Sequence, residues 1–479
     1  MKLSPSRACV LLCLLCCLVT ACSVGPNYHR PSAPVPARYK EYKGWKTATP
    51  NDLIDRGAWW SIYRDPILDR FERQIDITNQ NLKEAEAAYR EARAVVREQQ
   101  SAFFPSLSVT PQAERQRAGG FMSNSYSVQG TATWEPDIWG KVRRSVESST
   151  ANAQASAAQL AAARLSAQGQ LATDYIQLRF ADSLKSLLDD TVAAFQRSLE
   201  ITENEYTVGT VARSDVITAQ TQLLGAQAQA INVAVQRGQT EHAIALLIGK
   251  PPAEVSIAPS GLPDRVPITP TDIPAVLLER RPDIAEAERQ IEQQSASIGV
   301  QIAAFFPNIN LSAAFGYNGT PASTIFSPAS EVWSLMANAA QTVLSGGQRS
   351  AAVAAARASY DQSVANYRQT VLAAFQNVED QLVALRVLSR QIVVEQETVT
   401  SAKQAVDITI NEYRAGTIPY TTVITAQTTL LSAQETALQV QESRLTASVG
   451  LVQGLGGGWD TSQLPSKKEI QTLHPEIPN

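Results

Sequence analysis

Cysteine, histidine and paired carboxylates build nucleophiles, metal sites and acid–base pairs, and their placement in this chain is restrictive. All five cysteines, Cys9, Cys13, Cys16, Cys17 and Cys22, fall within the first 22 residues. The body beyond Cys22 therefore has neither a disulfide framework nor a thiolate metal site. The histidines, His29, His242 and His474, stand far apart and in no metal-binding spacing. The glycines of GLGGGW, at 454–459, follow a helical pattern. They lack the Gly-Lys-Ser/Thr that leads a phosphate loop into its helix. The acidic pairs of DIAEAE and NVEDQ have helical spacing and read as solvated faces. No catalytic constellation and no metal site is expected. A formal net charge of −4 offers no basic footprint for nucleic acid.

Cys22 has a chemical context of its own. Lys2 and Arg7 precede the apolar run ACVLLCLLCCLVTA, too short for a permanent transmembrane helix. Residues 1–21 thus have the layout of a signal peptide. Val19-Thr20-Ala21-Cys22 resembles a bacterial lipobox, whose cysteine is diacylated and becomes the mature N-terminus. More than one acyl chain gives stable membrane anchoring, and this covalent lipid is the sole cofactor expected. Ser23 follows; an Asp there commonly retains lipoproteins at the inner membrane, so the outer membrane is favoured. Residues 22–60 read as a lipidated strap, Pro-rich and extended through about position 50.

The elements that follow are written twice. Residues 203–227 and 410–434 align at an offset of 207, with 15 of 25 positions identical. Gly140 and Gly347 keep that offset, as do Arg179 and Arg386. Tandem repeats at 61–250 and 273–455 are therefore expected, joined by a Pro-rich linker at 251–272 and followed by a tail at 456–479. In each, a helix (about 66–102 or 273–304) leads into Phe-Phe-Pro. A long helix (about 141–206 or 347–413) then turns at a glycine into a return helix (about 213–249 or 420–452). Some 65 residues of helix reach about 100 Å, and antiparallel partners across a short turn imply coiled-coil packing. Side by side, such helices form a tube or sheet of helices.

Two alternating segments separate the first helix of each repeat from the long one. They are expected at about 105–117 and 123–137, and at about 307–319 and 331–345. In 308–318, Ile309, Leu311, Ala313, Phe315 and Tyr317 share one face, opposite Asn308, Asn310, Ser312 and Asn318. The first segment is less clean: it carries Pro111 and puts Arg115 on its apolar side. About ten residues of alternation ended by aromatics such as Trp134 is the pattern of an outer-membrane barrel strand, and equally of a half-buried soluble sheet. Beside a lipobox, the barrel is favoured. One chain supplies four strands, whereas bacterial barrels start at about eight. An open sheet in lipid leaves unsatisfied edges, so copies must combine. Two copies give eight strands and three give twelve; periodicity does not choose between them. The competing reading is a lipid-anchored periplasmic helical scaffold without channel activity, which has no use for the strands.

At this point the motifs resemble the outer membrane factors, the TolC-like efflux channels, and among them the NodT-type lipoproteins. The resemblance rests on CSVGPNYHRPSAPVP at 22–36, WEPDIWGKVR at 134–143 and LLERRPDIAEAE at 277–288. It implies a mainly α-helical homotrimer: a helical tube in the periplasm below a twelve-stranded barrel in the outer membrane. It further implies a passive exit duct for multidrug export. A periplasmic adaptor would join it to an inner-membrane pump, commonly of the resistance-nodulation-division type.

The resemblance also implies a gate where the repeat turns lie, at the end far from the barrel. Asp215 matches a residue that bonds across helices to a tyrosine, here Tyr413. The family's arginine partner is replaced by Ile418, and two carboxylate positions fall on Thr422 and Thr425. A Thr-lined constriction, weak in cation selectivity, is expected in place of an acidic ring. Gly209–Thr210 and Gly416–Thr417 would cap helices and form the adaptor-docking tips. Proline disfavours helix at the residue before it. Phe104–Pro105 and Phe306–Pro307 are therefore the expected seams between helix and strand, near the periplasmic membrane boundary.

Overall fold

The computed structural model describes residues 23–41, 58–267 and 277–472. Cys22, the signal segment and His474 lie outside the described residues.

The first repeat comprises α1 (Pro66–Thr78), α2 (Gln80–Ser101), β1 (Ser106–Ala118), β2 (Phe121–Trp134), α3 (Lys141–Thr207) and α4 (Arg213–Leu247). The second comprises α5 (Pro282–Ala303), β3 (Asn308–Gly319), β4 (Glu331–Ala340), α6 (Gln348–Arg414) and α7 (Tyr420–Gly454); a short α8 (Lys467–Thr472) follows. The repeats match to the residue in their long parts: α3 and α6 each have 67 residues, α4 and α7 each 35. Neither long helix contains a proline, and alanine is frequent in both, so nothing interrupts the ladder. Each is about 100 Å long.

The helix expected over 66–102 is two helices. Asn79 is extended (φ −62°, ψ 122°), its side chain accepts from Leu82 N–H, and its amide donates to Leu247 O at 2.7 Å. An N-cap bonded to another helix breaks the run where periodicity alone continues. The helix expected over 273–304 is broken at Arg281 (φ −105°, ψ 122°), because Pro282 follows. In the described part of that stretch, a four-residue turn at Leu277–Arg280 precedes α5.

Helices α3 and α4 pack antiparallel, as do α6 and α7, while α5 bridges α3 and α6. Small residues let these helices approach. A Cβ on Gly169 of α3 would come within 1.5 Å of the Gln453 side chain of α7. That glutamine donates across the gap to Leu165 O at 3.2 Å. One apolar core joins Trp59, Phe71, Leu171, Tyr175 and Val449; another joins Tyr39 of the N-terminal strap to Ile291, Tyr367 and Leu451. A third, at the far end, joins Phe195, Leu199 and Leu223 to Tyr420 and Val423. Among the described residues, no helix is long and apolar enough to cross a membrane.

The four strands form one antiparallel sheet in the order β1-β2-β3-β4, so β1 and β4 are both edges. β4 stops at Ala340, short of the expected 345, and β2 stops at Trp134, short of 137. At β4 the partner strand runs out: Ala340 lies opposite Asn308, the first residue of β3, and Pro307 before it has no N–H to donate. At β2, Pro136 removes a donor from the ladder.

Candidate functional site

The register assembles two faces of opposite chemistry. Leu107, Val109 and Pro111 of β1 pair with Ala132, Gly130 and Val128 of β2. Those lie opposite Ala313, Phe315 and Tyr317 of β3, which face Leu335, Trp333 and Glu331 of β4. Directly opposed residues share a face, so one side of the sheet is apolar for most of its height. The other side carries Ser108, Thr110, Thr131, Thr133, Ser312 and Ser334. The apolar side is uncovered: Leu107 is 77% exposed, Trp333 70% and Leu335 76%.

Both seams lie between a helix end and a strand start. Phe104 N–H donates to Ser101 O, closing α2 before Pro105, and Phe306 N–H donates to Ala303 O, closing α5 before Pro307. The segment from Trp134 to Gly140 holds them together. Trp134 donates its indole N–H to Phe103 O at 3.0 Å. Asp137 caps α3 by accepting from Val142 and Arg143 N–H at 2.9 and 3.0 Å. Trp139 stacks on Phe306 and donates to Pro307 O at 2.8 Å. The first described residues dock here too: Val24 N–H donates to Trp139 O at 3.1 Å, and Arg144 binds the Val24 and Gly25 carbonyls.

The far end carries the two turns. In each, a glycine takes positive φ, 78° at Gly209 and 74° at Gly416. Gly209 N–H bonds Tyr206 O and Thr210 N–H bonds Glu205 O; Gly416 and Thr417 repeat this on Tyr413 and Glu412. This is the Schellman closure of a helix. Each threonine hydroxyl adds a bond to the same glutamate carbonyl at 2.8 Å. All four residues are exposed.

Around the turns, the repeats are tied by polar contacts. Tyr413 donates its hydroxyl to Glu205, not to Asp215; no bond between Asp215 and Tyr413 occurs among the described residues. Burial, with Glu205 next, pushes the Tyr413 hydroxyl above the ordinary tyrosine range, and Asp215 adds to the shift through its charge. Gln427 donates to Ser198 at 3.0 Å, and the Tyr413 and Tyr420 rings lie 5.3 Å apart. Thr422 and Thr425 are exposed on the first turns of α7, and the Thr425 hydroxyl bonds back to Thr421 O. Sequence reasoning missed Glu205 because Asp215 was taken from the resemblance, which offers no sign of Glu205. Its side chain meets Tyr413 only once the two hairpins are packed.

The profile of the outer membrane efflux protein family matches residues 73–250 and 273–457. The chain belongs to that family. Outer membrane protein OprJ of Pseudomonas aeruginosa is 28% identical over 463 residues, covering 93% of this chain and 95% of OprJ. The solvent efflux pump outer membrane protein SrpC of Pseudomonas putida is 28% identical over 470 residues, covering 93% and 97%. Among solved structures, the outer-membrane channel OprN superposes with a TM-score of 0.86 at 28% identity, covering 91% of this chain and 100% of OprN. The open state of the Neisseria gonorrhoeae MtrE outer membrane channel gives 0.79 at 25%, covering 91% and 98%. This outer membrane efflux protein is thus a transport duct and not an enzyme. Its sheet is part of a membrane barrel, which excludes the lipid-anchored periplasmic scaffold without channel activity.

Proposed function

We propose that three copies of this chain close one twelve-stranded barrel above a common helical tube. That assembly is the exit duct of a tripartite efflux system, joined through a periplasmic adaptor to an inner-membrane pump of the resistance-nodulation-division type. The observation that carries this reading is the sheet itself, open at both β1 and β4 with its apolar side uncovered. In lipid an unpaired edge is untenable, so β4 of one copy pairs with β1 of the next.

The seams support the same closure. Within one chain, the first repeat's strand-to-helix segment covers the second repeat's Phe306. The second repeat's segment, with Val343 95% and Leu344 89% exposed, has no such partner among the described residues, and Phe104 is 72% exposed. By the repeat's own symmetry, each would meet the other across a junction between copies. The lipid is supported by position: Ser23 sits against Gly140 at the seam, so an acylated Cys22 would emerge at the membrane boundary.

The tips at Gly209–Thr210 and Gly416–Thr417 serve adaptor docking. Glu205 and Tyr413 hold the resting tip, with Asp215 adding charge beside them and Thr422 and Thr425 lining the constriction. Planar-bilayer conductance of the purified full chain, read with its oligomer mass, tests the duct. A conducting trimer is expected; a non-conducting monomer overturns it. Cys22→Ser is expected to abolish metabolic labelling by palmitate, and retained labelling refutes the anchor.

A further inference from the structure

The charges of the barrel portion are few and unevenly placed. In 106–134 and 308–340 they are Glu114, Arg115, Arg117 and Glu331. Arg115 pairs with Asn124 and Arg117 with Met122, in the row that continues Leu107, Val109, Pro111 and Ala113. Both arginines therefore stand on the lipid side, while Glu114 stands on the other. Both are exposed, and neither makes an ion pair or side-chain hydrogen bond among the described residues.

Their height is set by the register. Pairing of β2 with β3 ends at Tyr126 and Gly319, whereas β1 and β2 pair on to Ala118 and Phe121. The hairpin thus projects beyond the sheet at the end away from the helices. Ala113 lies opposite Tyr126, the outermost aromatic of β2 on the lipid side. Arg115 is two residues further out and Arg117 four. At about 3.4 Å per residue and a tilt of about 40°, they stand about 5 and 10 Å above that row. A headgroup layer extends about 5–7 Å beyond the hydrocarbon. With Tyr126 at the membrane interface, where aromatic girdles of barrels sit, the two guanidinium groups are held at and just above the outer headgroups.

We propose that Arg115 and Arg117 bind the phosphate groups of the outer leaflet's glycolipid, the phosphorylated lipid A headgroup. Guanidinium presents paired donors in a fixed fork that matches phosphate oxygens. The lipid-facing position selects a membrane-borne phosphate over a free one. The inference rests on the membrane barrel and not on how the tip opens.

The test uses the full-length trimer in nanodiscs doped with lipid A or with chemically dephosphorylated lipid A, with bound lipid counted by native mass spectrometry. Wild type is expected to retain the phosphorylated lipid at least about tenfold better. R115Q/R117Q is expected to lose that preference, and R115K/R117K to keep part of it. Unchanged bilayer conductance of the glutamine variant would show that the duct reading stands independently. Equal retention of both lipids by wild type overturns the proposal, and so does displacement of lipid A by millimolar inorganic phosphate. Should the glutamine variant fail to assemble, the wild-type preference and the lysine variant still decide. A last arm uses Glu331→Gln. If it weakens the trimer as R115Q/R117Q does, and wild type shows no lipid preference, the arginines pair with Glu331 of a neighbouring copy and the proposal falls.

Discussion

Trp139 of the first repeat lies flat on Phe306 of the second, ring centroids 4.8 Å apart, and its indole N–H donates to the carbonyl of the adjoining Pro307. One residue joins the start of α3 to the place where α5 becomes β3. Rotation of the tube against the sheet at that point would have to break both contacts.

Trp139→Ala is therefore expected to destabilise the seam by about 2 kcal/mol, roughly one for the ring pair and one for the hydrogen bond. Trp139→Phe should recover about half, since it keeps the stack. Thermal dissociation of the purified oligomer measures this. Equal loss in both variants would show that the stack contributes nothing.

Tyr413→Phe removes the hydroxyl that Glu205 accepts. Higher open probability in planar bilayers is expected, with a larger periplasmic leak. Because burial and Glu205 raise the tyrosine's pKa, its proton is retained through the ordinary value of 10.0. The folded-state pKa exceeds the unfolded one, so the contact is fully present below the unfolded value and is lost only as pH rises through the folded one. Open probability should show no Tyr413-dependent step between neutrality and pH 10.0. A step between neutrality and that value refutes the assignment.

The exposed Thr425 carries no fixed charge. Weak cation selectivity and little block by multivalent cations from the periplasmic side are expected. Thr425→Asp should introduce such block. If wild type is already strongly blocked and Thr425→Ala abolishes the block, the uncharged constriction is wrong.

Gly416 takes φ 74° with open space where a Cβ would go. The penalty of Gly416→Ala is thus conformational, about 1–2 kcal/mol of local turn stability. Gly416→Asn should lose less. Faster amide exchange at Thr417, whose N–H closes the turn, reports the loss. Unchanged exchange in the alanine variant would remove the turn's dependence on glycine.

Glu72 of α1 is fully buried, and neither of its carboxylate oxygens has a hydrogen-bond partner among the described residues. Burial first, then the charges of Asp76 and Asp69, push its carboxyl well above the usual range. The raised folded-state pKa means its favourable contribution is present below the unfolded value and lost as pH rises through the folded one. Glu72→Gln should therefore raise the melting temperature at pH 8 more than at pH 4. A pH-independent change contradicts this.

The sequence by itself determined the duplication, the four alternating segments and the two seams. Those properties are local: helix ends follow from proline at 105 and 307, and period-two alternation follows from the strand's pleat. It was blind where a residue's partner lies on another element. Periodicity ran through Asn79 because the reason for the break is a carbonyl on α4. The resemblance pointed to Asp215, whereas helix packing brings Tyr413 to Glu205. The single motif WEPDIWG was legible as a signature, yet its parts separated only in three dimensions. Trp134 reaches Phe103, Asp137 caps α3, and Trp139 reaches Phe306. Short-range sterics and patterning are written residue by residue. Which side chains meet across long distances in the chain is decided when the helices pack.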